Sequence, residues 1–160
     1  EKISKALPTI VAFFSLCVIV FMGVVFDILG VSVNVADVKK FHAMAANKIE
    51  TAKYAILLCN NAEKVSSFCN DVIGDICGVI SGALGSAIVF RAATSLTFID
   101  FTLFSALFTA LISSFTIGGK AKGKGYAIAH SDSIIFKVSK VVHFMDDNLG
   151  IRFFQEKKIK

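Results

Sequence analysis

Residues 7–26 read LPTIVAFFSLCVIVFMGVVF and carry no charged side chain. Twenty helical residues at about 1.5 Å rise each cover the ~30 Å hydrocarbon core of a bilayer. A second uncharged stretch fills 101–119, and 72–96 is apolar apart from Asp75 and Arg91. The pattern predicts transmembrane helices over about 7–30, 72–95 and 98–118. After the first of these, Val35, Val38, Phe41, Ala45, Ile49, Ala52 and Ile56 recur at intervals of three or four. That spacing predicts an amphipathic helix over 35–59 lying along the membrane interface and breaking at Asn60-Asn61. Ile134, Ile135, Val138, Val141, Val142, Met145 and Leu149 predict a second interfacial helix over 131–150. The expected fold is an all-α membrane protein, three transmembrane helices plus two amphipathic interfacial helices, forming a single domain over 1–160.

Small residues set the expected packing. Gly74, Gly78 and Gly82 repeat every fourth position, with Ser81, Gly85 and Ser86 close by. A stripe of this kind lets another helix come backbone to backbone, the mode that lipid favours because its tails compete equally for large apolar side chains. Span one, span three and a second copy of the chain are all candidates for that partner. In the third span Ser105, Thr109, Ser113 and Ser114 fall at helical intervals, where hydroxyls usually bond the carbonyl one turn back. The GGKAKGKG run over 118–125 reads as a flexible basic strip drawn to anionic headgroups.

Composition agrees with the pattern. The chain is 55% hydrophobic and has a mean hydropathy of +0.72, against roughly 45–50% apolar residues in soluble chains. Trp is absent and Pro occurs once. The net charge of +5 is unevenly placed. Lys39, Lys40, Lys48, Lys53 and Lys64 follow the first span, and Lys120, Lys122, Lys124, Lys137 and Lys140 follow the last, while Arg91 and Asp100 are the charges between spans two and three. Lys and Arg accumulate in cytoplasmic loops, so the asymmetry places the N-terminus outside and the C-terminus in the cytoplasm of a cell membrane, and it does not read as a nucleic-acid footprint. Lys2 and Lys5 sit on the outer side and would snorkel there. Cys17, Cys59, Cys69 and Cys77 have neither CxxC spacing nor neighbouring histidines, and read as free thiols more readily than as disulfides or a zinc site. No catalytic signature accompanies them, so no enzyme is expected.

Acids are the costly residues in such a chain. A carboxylate near the bilayer centre costs about 2.5–3.5 kcal/mol on insertion scales unless something meets it. Asp71 and Asp75 are one helical turn apart, beside Asn70 and in line with the glycine stripe, and Asp27 closes the first uncharged run. Carboxylate and amide oxygens are the ligands that hard cations take, so Asp27, Asn70, Asp71 and Asp75 form a candidate metal site for Mg²⁺ as a bound or transported ion. The alternative is that Asp71 and Asp75 cap the cytoplasmic end of span two, where a helix N-terminus favours negative charge. Asp100 is expected to pair with Arg91.

The order of elements resembles the transmembrane domain of the CNNM/CorB/CorC family of magnesium and cobalt transporters. Phe41-His42-Ala43-Met44-Ala45 stands where that family carries Leu-x-x-Leu-Ala after a basic start, here Lys39-Lys40. IETAKYAILLCNNAEKVSSF over 49–68 is similar to its Gly-Ala-x-x-Ala-x-x-Leu segment with Pro-Glu-Arg-Leu, the latter matched by Ala62-Glu63-Lys64-Val65. FTIGGKAKGKGYAIAHSDSII over 115–135 has the spacing of its Phe-Gly-Glu-x-x-Pro-Lys turn and the helix after it, with Lys120 at the acid and Gly123 at the proline. Ile73 and Gly74 fall where the family carries paired asparagines. The resemblance implies a CorB-type divalent cation (Mg²⁺) transporter domain, acting as a homodimer in membrane lipid. The competing expectation is a non-transporting small subunit or scaffold that binds other membrane subunits.

Overall fold

The computed structural model describes residues 2–93 and 101–149. All the elements they form are helical: α1 (Lys2–Val35), α2 (Val38–Ala46), α3 (Glu50–Asn60), α4 (Ala62–Ser67), a π-helical segment (Phe68–Ile73), α5 (Gly74–Ala93) and α6 (Phe101–Leu149). Three runs, Ile10–Val35, Ala62–Arg91 and Thr102–Asn148, are each long and apolar enough to cross a membrane. Asp100, the expected partner of Arg91, and the tail from Gly150 onward lie outside the described residues. Large apolar side chains stand on the surface of these runs, among them Phe14, Phe21, Val79, Phe90, Leu107, Leu111 and Phe115.

The residues divide into two compact units, one from 1–28 with 69–124 and the other from 29–68 with 125–160. In the first unit, glycines mark where helices touch. A Cβ on Gly23 would stand 3.2 Å from the Cβ of Cys77, one on Gly85 would meet Ile112 at 3.1 Å, and one on Gly119 would meet Val24 at 3.2 Å. Gly123 is tightest, since its Cβ would fall 2.9 Å from Cγ1 of Ile28. Gly119 and Gly123 are one turn apart and let α6 lie against α1. Here the structure corrects an expectation: the glycine-rich run 118–125 is not a flexible strip but regular helix inside α6. Gly119 and Gly123 serve close packing, and past a kink at non-helical His130 (φ −125°, ψ 21°) helix resumes as far as Leu149.

The second unit has a core of Val33, Phe41, Ala55, Leu58, Cys59 and Ile135, with Met44, Ile56, Val138 and Val142 packed around it. Over 35–59 two helices stand where the hydrophobic period suggested one. The side chain of Asp37 caps α2 by accepting from the Lys39 N–H at 3.0 Å. At the other end Lys48 takes a left-handed φ of 61°. The Lys48 N–H then donates to the Ala45 carbonyl (3.0 Å) and the Ile49 N–H to the Met44 carbonyl (3.2 Å). These paired bonds are the Schellman arrangement, in which a left-handed residue satisfies the last carbonyls and turns the chain. The turn resets the helical phase, so Ile49 is exposed while Ala52, Ala55, Leu58 and Cys59 are buried. Asp132 ties α2 to α6 by accepting from the Asp37 N–H (2.9 Å) and from the Lys40 ammonium. Near the end of α6, the Tyr54 hydroxyl donates to Asp146 at 2.6 Å, and His143 lies 2.9 Å from Asp147.

Candidate functional site

The first unit holds a cavity of ≈ 30 Å³ lined by Val20 and Gly23 of α1, by Gly74, Cys77, Gly78 and Ser81 of α5, and by Thr116 and Lys120 of α6. Each helix presents this face for a local reason. Gly74, Cys77, Gly78 and Ser81 recur at three- and four-residue intervals, so they form one stripe of α5. Val20 and Gly23 do the same on α1, where Asp27 follows one turn beyond Gly23. On α6, Thr116 and Lys120 are one turn apart, and the contacts of Gly119 and Gly123 against α1 fix how that helix sits.

Polar groups on this face are few and specific. The Ser81 hydroxyl donates to the Gly78 carbonyl at 2.9 Å and the Thr116 hydroxyl to the Ile112 carbonyl at 2.9 Å. The Nζ of Lys120 would stand 3.9 Å from a Cβ at Gly74, and the Cys69 carbonyl oxygen 3.8 Å from the same point. That carbonyl belongs to the π-helical segment, a wider winding that occurs at functional sites in helices. Asp27 is 7% exposed, and its Oδ2 has no hydrogen-bond partner among the described residues. Burying such an oxygen without a donor costs free energy, so its place in the helix is not explained by packing.

The structure treats the expected ligand set unequally. Asp27 is buried and Asn70 half-buried, whereas Asp71 and Asp75 are exposed. Among the described residues no three His, Cys, Asp or Glu side chains gather closely enough to hold a metal ion. Of the packing glycines, Gly74 and Gly78 border the cavity, and a Cβ added at Gly78 or Gly82 would meet nothing within 4 Å. All four cysteines are free thiols, with Cys59 and Cys69 buried. Lys120 and the contacts at Gly23, Gly119 and Gly123 were missed as site-forming positions. The repeat Gly119-x-x-x-Gly123 was the signal available for the last two, because small residues four apart mark close helix contacts in lipid.

These features define an all-helical protein with three helices fit to cross a membrane and a small cavity among them. No family model, no curated protein and no solved structure matches the chain at a significant level.

Proposed function

We propose that the chain is the membrane-embedded part of a divalent cation transporter, similar to the CNNM/CorB/CorC transmembrane domain, with Mg²⁺ as the substrate. The N-terminus lies outside and the C-terminus in the cytoplasm of the cell membrane, and two copies pair through the open face at Gly82. The observation that carries this reading is a buried, unpartnered Asp27 carboxylate oxygen in an apolar span, one helical turn beyond the Gly23 that lines a cavity of the same unit. An acid kept at that cost in an apolar span marks an ion pathway more often than a packing position. Asn70, half-buried on the same helical run as the cavity-lining stripe, adds an amide oxygen suited to a hard cation. Exposed Asp71 and Asp75 sit at the start of span two, where they attract cations toward the cavity.

Reconstitution tests the reading. Proteoliposomes carrying the chain take up Mg²⁺ or Mn²⁺ above protein-free vesicles, and Asp27→Asn lowers the uptake at least about tenfold, the order of one lost charge–cation contact, while helicity is kept. A second reading, a non-transporting subunit, is favoured by one observation, the ammonium of Lys120 at the cavity wall. Uptake equal to that of empty vesicles, with the chain recovered from membranes in a larger complex of unrelated proteins, would establish that reading instead.

A further inference from the structure

Lys120 is the first charge after the uncharged run 101–119, so it stands where the third span reaches the headgroup layer of a bilayer. Lys122 and Lys124, further along the same helix, are exposed, whereas Lys120 is half-buried. Its Nζ would lie 3.9 Å from a Cβ at Gly74, which places the ammonium over the backbone at the start of α5. Close packing of Gly119 on Val24 and of Gly123 on Ile28 holds the stretch of α6 that carries it. Among the described residues the ammonium forms no ion pair and no hydrogen bond. Three donors half-withdrawn from water without an acceptor are costly, and an anion is the partner that offsets the cost.

The wall beside Lys120 suits a lipid. Val20, Gly23, Gly74 and Gly78 line it without a polar side-chain atom, and the hydroxyls of Ser81 and Thr116 are turned to carbonyls of their own helices. No carboxylate is among the lining residues, so an anion meets no like charge there. The enclosed volume of ≈ 30 Å³ takes one small group of a ligand. The rest of the ligand then lies outside, on helix surfaces that carry exposed large apolar side chains, as an acyl chain does. Basic pockets between spanning helices take anionic headgroups in this manner.

We propose that the cavity between α1, α5 and α6 seats one anionic phospholipid, its phosphate on the Lys120 ammonium, its glycerol portion against Gly74 and Gly78, and an acyl chain along the apolar surface beyond. Exposed Lys122 and Lys124 add only the diffuse attraction of a basic helix for the same leaflet. The inference needs the chain to span a bilayer and uses nothing of the transporter reading. It holds equally for a non-transporting subunit.

Native mass spectrometry of the full chain in detergent tests it by counting bound lipid during titration with phosphatidylglycerol or with phosphatidylcholine of the same acyl chains. The parent retains one phosphatidylglycerol per chain and prefers it to phosphatidylcholine. Lys120→Met weakens that binding at least about tenfold, the order of one charge-assisted hydrogen bond lost, and Lys120→Arg keeps it. Lys122→Met and Lys124→Met each change it by no more than about fivefold, the order of diffuse attraction. Gly74→Leu keeps every charge and puts a side chain beside Nζ, where its Cβ makes ordinary contacts of 3.8 and 3.9 Å. It also weakens binding at least about tenfold, and so carries the test should Lys120→Met misfold. Equal retention of the two lipids by the parent overturns the proposal, as do equal losses from all three lysine variants or unchanged binding in a helical Gly74→Leu. Inorganic phosphate added at the lipid concentration leaves the lipid bound; displacement by it would overturn the lipid and give the site to a free anion.

Discussion

Replacing Gly123 by Ala sets two effects of similar size against each other. In a helix interior the exchange normally stabilises by about 0.8–1.0 kcal/mol, because alanine has less backbone freedom to lose. At Gly123 the new methyl would lie 2.9 Å from Cγ1, 3.1 Å from Cδ1 of Ile28 and 3.5 Å from Cγ1 of Val24. Comfortable carbon contacts begin near ~3.5 Å, so two atoms are too close. Both belong to a β-branched side chain with little rotamer freedom in a helix. Overpacking of this kind costs about 1–3 kcal/mol, so Gly123→Ala is expected to destabilise by about 0–2 kcal/mol net. Gly118 and Gly125 have nothing within 4 Å of the same added atom. There Ala is expected to stabilise by about 0.5–1 kcal/mol. Unfolding in mixed micelles with rising dodecyl sulfate, followed by circular dichroism, reads all three. Stabilisation by Gly123→Ala equal to that at Gly118 would refute the contact between α6 and α1, and equal null effects would restore the flexible strip.

Two further outcomes follow from the second unit. Lys48 holds φ 61° at the Schellman turn, a conformation costing a residue with a side chain about 1 kcal/mol, so Lys48→Gly is expected to raise the unfolding midpoint and Lys48→Val to lower it. The hydrogen bond to Asp146, then burial, push the Tyr54 phenol from the usual 10.0 up to about 12. A folded-state value above the unfolded one gives stability that is full below pH 10 and is lost as pH rises from about 10 through 12. Lys40, held above its ordinary value by Asp132, loses its contribution in the same alkaline direction. Melting followed between pH 9 and 12 is therefore expected to show a smaller alkaline loss in Tyr54→Phe than in the parent, and a smaller one again with Lys40→Met added.

Much of the helical framework was legible because the uncharged runs state their length directly, and α3 does end at Asn60 as expected. The break inside 35–59 was not, since Lys48 takes a position that glycine usually marks. Reading 118–125 as loop failed because glycine was taken for its backbone freedom, when Gly119 and Gly123 serve close approach. Burial along the part of α6 after His130 differs in phase from the sequence pattern. Ser131, Ile135 and Ser139 are buried and Val141 is exposed, because small hydroxyl residues fit where helices run close. The site was half legible. Asp27 announced itself as an acid at the end of an apolar run, whereas the place of Lys120 at the cavity wall depends on where α6 passes Gly74, which no local pattern encodes.

The central claim is that α1, the run through α4 and α5, and the first part of α6 cross a lipid bilayer. Extraction of expressing-cell membranes with alkaline carbonate tests it most directly, since that treatment strips peripheral proteins and leaves spanning ones behind. The account predicts that the chain stays with the membrane pellet and is released by detergent. Recovery of the folded chain in the carbonate supernatant would contradict it.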